Sequence, residues 1–360
     1  MKAEAARESI HALTLPRLRE LLAEAGHPAY RGAQVLEWVY EKRVDDFEVM
    51  TNLPAGFRLW LNERFVFHVL EPVRVQGAED TTRKYLFRLG DGALVESVLI
   101  PASPALYGEA SDRRTLCVST QVGCAYGCKF CASGLDGWSR NLTAGEIVGQ
   151  ILRIEKLSGE RVSNLVFMGM GEPLSNFKNL LIALEILNAP WGVGIGARRI
   201  TISTSGLAPQ IRELAEQPMQ VRLAVSLHGA RDEVRQTIMP VNRKYPLAEL
   251  LAACEYYVGI KKQRITFEYI LIRDVNDSIE DAEALVLAAQ RVDAKVNCIP
   301  YNVVEGLDWI RPEEERQDAF MAVLKRAKVN ATIRREKGHD IAAACGQLRR
   351  QTLPEVAASS

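Results

Sequence analysis

The chain has 360 residues, of which 48% are hydrophobic and 25% charged. At roughly 150 residues per domain this predicts two domains, or one large domain with an appendage. Such composition excludes a disordered or collagen-like bulk. No stretch of about 18 residues is free of charge, which excludes a membrane-spanning helix. Lysine plus arginine number 45 and aspartate plus glutamate 45, so the formal net charge is zero. Any nucleic-acid binding must therefore rest on local basic patches.

The N-terminus, MKAEAARESI, has no apolar signal core. A cytoplasmic protein is expected. Its seven cysteines then read as metal ligands or catalytic groups, not as a disulfide framework.

Residues 1–66 read as a small helical unit. Leu18, Leu21 and Leu22 share one face, as do Leu36, Val39 and Tyr40. Pro54-Ala55-Gly56 interrupts the pattern before a helix carrying Trp60. Residues 67–115 read as a strand-rich connection, VFHVLEPVRV, TRKYLFRL and ALVESVLI, with a turn at Gly90-Asp91-Gly92. Over residues 116–336 strands and helices alternate. The strand candidates are LCVSTQV, NLVFMG, RRITIST, VRLAVSL, RITFEYIL, KVNCIP and ATIRR. One intervening helix opens on the capping box Thr143–Glu146 and carries Ile147, Ile151 and Ile154 on one face. Residues 337–360 form a C-terminal segment. The alternation predicts an α/β fold whose parallel sheet is wound with helices, open or closed into a barrel. In either geometry function gathers at the C-terminal strand ends.

Those ends carry the chemistry-bearing residues. After the first strand, Cys124, Cys128 and Cys131 follow a C-x3-C-x2-C spacing, with Cys117 just upstream. Thiolates so close together suit a metal centre. A structural zinc, with Cys117 or a histidine as fourth ligand, is one reading. An iron–sulfur cluster held by three cysteines, with one iron open, is the other. Later strand ends carry Met168-Gly-Met-Gly-Glu-Pro173, Ser203-Thr-Ser-Gly206, Ser226-Leu-His228 and Tyr301-Asn302. Taken alone, each reads equally well as an ordinary cap or loop. The glycines of GVGIGA precede a strand instead of following one, so they make no dinucleotide fingerprint.

The cysteine spacing after a first barrel strand, with Phe130 between the last two cysteines, resembles the radical S-adenosylmethionine (SAM) superfamily. The resemblance implies a partial (β/α)6-type radical SAM barrel with a small N-terminal helical accessory domain. It implies a 4Fe–4S cluster on Cys124, Cys128 and Cys131, whose fourth iron chelates SAM. It places Gly171, Glu172, Ser203, Ser226, Leu227, His228 and Asn302 around that cofactor.

From about Pro28 to Leu348 the chain further resembles the RlmN/Cfr family of adenosine methyltransferases. The carriers are Asn52-Leu-Pro54, Thr82-Arg-Lys84, Val95-Glu-Ser-Val98, Cys117 to Cys124, Met168 to Pro173, Ser226 to His228, Ile238-Met-Pro-Val-Asn242 and Ala343-Ala-Cys-Gly-Gln-Leu348. Thr120 replaces a common serine, and the wording after Cys131 departs from the commonest pattern. The resemblance favours the RlmN branch. It implies methylation of carbon 2 of an adenosine in 23S rRNA, and of one in tRNA. The Cfr branch, which methylates carbon 8 of the same rRNA adenosine, is the alternative. From another class, a zinc-stabilised RNA-binding module without chemistry remains a reading of the residues alone.

The family mechanism assigns Cys345 as carrier of the transferred methyl, Glu96 as the base that removes the ring proton, and Cys117 as the thiol that resolves the protein–RNA adduct. A Cys117–Cys345 disulfide follows, to be reduced by external thiols. Without the resemblance Cys117 and Cys345 read as small buried apolar residues and Glu96 as an exposed strand residue. Cys254 and Cys298 read as core. The segment Gly338–Leu348 is expected to be mobile without substrate. Around Cys345, five basic residues (Arg334, Arg335, Lys337, Arg349, Arg350) against two acidic ones (Glu336, Asp340) give residues 331–350 a net charge of +3. Phosphate contacts would suit that rim. A monomer is expected, served by a flavodoxin-like electron donor.

Overall fold

The structure is a computed structural model. It describes residues 7–67, 70–77, 82–102, 112–135, 137–302, 306–333, 348–350 and 352. Cys345 and most of the segment expected to be mobile lie outside the described residues.

The N-terminal unit is helical, as its periodicity predicts. Helix Leu15–Glu24 is capped by Thr14, whose side chain accepts from the Arg17 backbone N–H at 3.4 Å. It buries Leu18, Leu21 and Leu22. Helix Arg31–Leu36 continues into a wider π-type turn, Glu37–Glu41, and Leu36, Val39 and Tyr40 all reach the core. Helix Ala55–Arg64 buries Phe57 and Leu61. Trp60 stays half-buried and meets the His27 ring edge-on at 4.6 Å. Strands β1 (Glu8–Ser9) and β2 (Phe65–Val66) pair in parallel and tie the two ends of the unit together.

The remaining strands, in chain order, are β3 (Glu71–Gln76), β4 (Arg83–Arg88), β5 (Leu94–Pro101), β6 (Arg114–Cys117), β7 (Gln121–Gly123), β8 (Trp138–Asn141), β9 (Asn164–Phe167), β10 (Ile200–Thr204), β11 (Arg222–Ser226), β12 (Thr266–Leu271), β13 (Lys295–Pro300) and β14 (Ala331–Ile333). Ten of them form one sheet in the order β14-β13-β12-β11-β10-β9-β6-β5-β4-β3. From β6 to β14 every neighbouring pair is parallel, with helices crossing between most strands, as the alternation predicts. Along β12, Phe267 and Tyr269 pack into the core while Glu268 and Ile270 line a cavity on the other face.

Two features differ from the sequence expectation. The connection over residues 67–115 is part of the main sheet: β3, β4 and β5 form an antiparallel meander, and β5 pairs antiparallel with β6. Its hairpin turns could be read locally, but its docking onto β6 is a long-range contact with no local signal. LCVSTQV is also not one strand. It breaks after Cys117, and β7 turns away to pair antiparallel with β8 as a separate two-stranded clasp. At its mouth Gly123 has φ +75°, and a Cβ there would lie 2.0 Å from the Gly137 carbonyl oxygen, so only glycine fits.

Helix Ala144–Ser158 has the expected capping box: Thr143 Oγ1 accepts from the Glu146 N–H, and the Glu146 carboxylate accepts from the Thr143 N–H at 2.8 Å. Cys254 and Cys298 are core residues. Among the described residues no helix is long and apolar enough to cross a membrane.

Candidate active site at the strand ends

The clasp carries a loop holding Cys124, Cys128 and Cys131. The Cys124 N–H donates to the Gly137 carbonyl at 2.9 Å, and the Cys131 N–H to the Cys128 carbonyl at 3.0 Å. The Lys129 N–H donates to Ile238 at 2.9 Å, which pins the loop to helix Asp232–Ile238. All three cysteines line one cavity of about 410 Å³. That volume suits a small-molecule site, roughly 300–1,000 Å³.

Burial pushes the Cys124 thiol up to about 12 and the Cys128 thiol well above its ordinary value. Neighbouring thiolates add to both rises. Three crowded thiols ionise together only around a cationic partner. A tetrahedral zinc with bonds of about 2.3 Å needs its thiolates about 3.8 Å apart. A cluster that gives each cysteine its own iron spreads them further. The donor set, three cysteines lining one cavity, fits a 4Fe–4S cluster.

The turn after β9 forms the next part of the wall. Gly171 has φ +98°, and a Cβ there would lie 2.5 Å from the Gln121 side chain. Gln121 Oε1 accepts the Glu172 N–H at 2.8 Å. The Glu172 carboxylate is buried and accepts the N–H groups of Leu174 at 3.0 Å and Ser205 at 2.6 Å. Burial raises its pKa, and those backbone donors oppose the rise. Glu172 thus fastens the β9 turn to the β10 turn.

Ser203, Ser226, His228 and Asn302 also line the cavity. Leu227 does not: its side chain is fully buried in the main core. His228 sits at φ 53°, where its Nδ1 accepts the Ile270 N–H at 3.0 Å. Burial and then the nearby Arg235 charge lower its pKa to about 3. A neutral ring that accepts at Nδ1 carries its proton on Nε2. The ring stands edge-on to Phe130 at 4.7 Å, against the cysteine loop.

The meander supplies the opposite wall. Cys117 on β6 is directly opposite Val98 on β5, which is opposite Lys84 on β4, and all three line the cavity. Two residues along β5, Glu96 shares that face. It is buried, not exposed as a lone strand carboxylate reads. One carboxylate oxygen lies 3.3 Å from Lys84 Nζ, and the other accepts the Arg349 N–H at 2.6 Å. Leu348 is fully buried against Leu86 and Leu94, so the segment expected to be mobile ends on a fixed point.

Three contributors escape sequence reasoning. Lys84 stands in the Thr82-Arg-Lys84 motif, but a strand lysine reads as solvent-facing. Gln150, inside an amphipathic helix, accepts from Ser97 Oγ at 2.7 Å and the Ser119 N–H at 2.9 Å. Ser119 Oγ in turn donates to the Glu96 carbonyl at 2.6 Å. Arg235 reads as an exposed helix residue but has no exposed surface. The one signal in the sequence is its place between Ser226-Leu-His228 and the Ile238–Asn242 motif.

Comparison with known proteins places this architecture. The Radical SAM superfamily profile matches residues 118–286, and the "Ribosomal RNA large subunit methyltransferase N-terminal domain" profile matches residues 9–67. A probable dual-specificity RNA methyltransferase RlmN of Akkermansia muciniphila is 58% identical over 94% of this chain and 95% of its own length. The Bacillus subtilis protein of the same description is 47% identical over 95% and 93%. The crystal structure of a radical SAM methyltransferase from Sphaerobacter thermophilus superposes with a TM-score of 0.87 at 44% identity, covering 94% of this chain and 98% of that one. Superfamily membership brings with it a 4Fe–4S cluster and SAM as cofactors. With a three-thiol loop at the strand ends and relatives matched along nearly their whole length, the chain belongs to the RlmN family of radical SAM RNA methyltransferases.

Proposed function

We propose that this enzyme methylates carbon 2 of an adenosine in 23S rRNA and of one in tRNA, with Cys345 carrying the transferred carbon. One observation carries the reading: the three-thiol loop, Cys117 and Lys84 line a single cavity, and Glu96 lies 3.3 Å from Lys84 Nζ. The family named above supplies the RNA substrates.

Carbon 2 of adenine lies between two ring nitrogens and has no lone pair to offer a sulfonium methyl. Cys124, Cys128 and Cys131 would hold the cluster, which with SAM supplies the radical chemistry that such a carbon requires. Gly171, Glu172, Ser203, Ser226, His228 and Asn302 shape the SAM side of the cavity. The Leu227 side chain takes no part there, since it lies in the core.

The chain's own acid–base and thiol chemistry follows. Glu96, paired with Lys84 and accepting the Arg349 N–H, accepts the proton from the adducted ring carbon. The Cys117 thiolate attacks the Cys345 sulfur. A Cys117–Cys345 bond forms, the Cys345 sulfur–carbon bond breaks, and the base leaves with that electron pair and takes up a proton to complete its methyl. External thiols then reduce the disulfide. A flavodoxin-like one-electron donor, a monomeric state and a cytoplasmic location complete the reading.

The test is mass spectrometry of reacted rRNA and tRNA fragments against positional standards. A product with methyl on carbon 2 supports the assignment. Methyl on carbon 8 would overturn it in favour of the Cfr-type reaction.

A further inference from the structure

Arg235 is the largest fully buried side chain among the described residues. Its guanidinium makes three hydrogen bonds: Nε to the Leu227 carbonyl at 3.0 Å, Nη1 to Asn242 Oδ1 at 2.8 Å, and Nη2 to the Ser205 carbonyl at 2.6 Å. All three acceptors are neutral oxygens. Each nitrogen has a partner, and none of the three partners is a carboxylate. A buried cation without an ion-paired acid is costly, and an apolar residue of similar size would remove that cost.

The charge has a neighbour. The Arg235 Nη2 donates to the carbonyl of Ser205, which lines the same cavity as Cys124, Cys128 and Cys131. The helix that carries Arg235 also fixes the cysteine loop, through the Lys129 N–H bond to Ile238. A guanidinium stays charged in a protein at neutral pH even when buried. In a low-dielectric interior a fixed charge acts far more strongly than in water. The potential of an iron–sulfur cluster follows the net charge and hydrogen bonding around it.

We propose that Arg235 raises the reduction potential of the cluster held by Cys124, Cys128 and Cys131, easing its one-electron reduction. The inference rests on the ligand assignment made above. Reduction adds one negative charge to the cluster, and the fixed cation bonded to the cavity wall stabilises that added electron. Arg235 acts here as a tuning and positioning residue, not through contact with RNA.

The test is a dithionite titration of the anaerobic, cluster-loaded enzyme, followed by electron paramagnetic resonance, with iron and sulfide measured on each sample. Arg235→Gln keeps an amide donor and removes the charge. Its ratio of reduced to oxidised cluster at fixed potential should fall at least tenfold, which for a one-electron couple is about 59 mV. Arg235→Lys keeps the charge and should stay within threefold of wild type. A second pair leaves Arg235 in place. Cys254→Asp sets a carboxylate beside the guanidinium and should lower the ratio as Arg235→Gln does, whereas Cys254→Ser should not.

An intact cluster with the wild-type ratio in Arg235→Gln or Cys254→Asp overturns the proposal. So does a fall in Arg235→Lys as large as in Arg235→Gln, which would mark a purely structural role. Should Arg235→Gln fail to hold iron, the Cys254 pair decides alone. A wild-type enzyme that holds no iron and shows no cluster signal overturns the ligand assignment itself, and this inference with it.

Discussion

Lys84 Nζ lies 3.3 Å from the Glu96 carboxylate, with side chains only 1% and 3% exposed. Removing one partner of such a buried pair leaves a charge stranded in the interior. Lys84→Met should therefore destabilise the fold by about 3–5 kcal/mol. Denaturant unfolding measures this. The double variant Lys84→Met/Glu96→Gln should recover at least about 1 kcal/mol, because neither charge is then alone.

Glu96→Gln on its own tests the base. The amide cannot take the ring proton, so the protein–RNA adduct should form and persist. Denaturing electrophoresis should show a cross-linked band that decays at least tenfold more slowly than in wild type. Wild-type turnover by the variant would assign the proton to another group.

Cys117→Ala should stop the cycle one step later. The adduct through Cys345 has no thiol to resolve it, so the yield should fall below one methylated RNA per chain, with the missing RNA in the cross-linked band. Free methylated RNA at wild-type yield, with no such band, would make Cys117 a core residue only.

His228 gives the fold a pH dependence. Its pKa is about 3 in the fold against an ordinary 6.5, so the folded state holds it neutral where the unfolded state binds a proton. The contribution is fully present above pH 6.5 and is lost as pH falls toward 3. The slope attributable to this residue is about 1.4 kcal/mol per pH unit. His228→Asn tolerates the left-handed backbone. Unfolding measured between pH 6.5 and 4.5 should show a shallower loss for the variant than for wild type.

The parallel strands and their crossing helices were legible because each strand is a short apolar run closed by a polar tip, and each helix has its own period. The meander strands were legible for the same reason. Their attachment to β6 was not, since strand pairing across sequence leaves no local mark. The break after Cys117 was hidden because Val118, Thr120 and Val122 keep the period of a strand; the pairing of Gln121–Gly123 with β8 turns the chain aside. Among the candidate residues, the cysteine spacing was visible at once. Glu96 was visible only through resemblance. Its burial depends on Lys84 across the sheet and on Arg349, 253 residues away in sequence. Arg235 went unseen because a charged residue on a short helix carries no sign that its head turns inward.

The β7–β8 clasp has a consequence for how the enzyme is assembled. Backbone hydrogen bonds close the cysteine loop at its base, and the loop's middle is tied to helix Asp232–Ile238. None of these ties involves a thiol. Zinc fingers collapse without their metal because nothing else holds the ligands near one another. Here the scaffold keeps the three sulfurs in one neighbourhood by itself. Chelation should strip colour from the protein while shifting its melting temperature little. Iron and sulfide can then be delivered to a chain that has already finished folding.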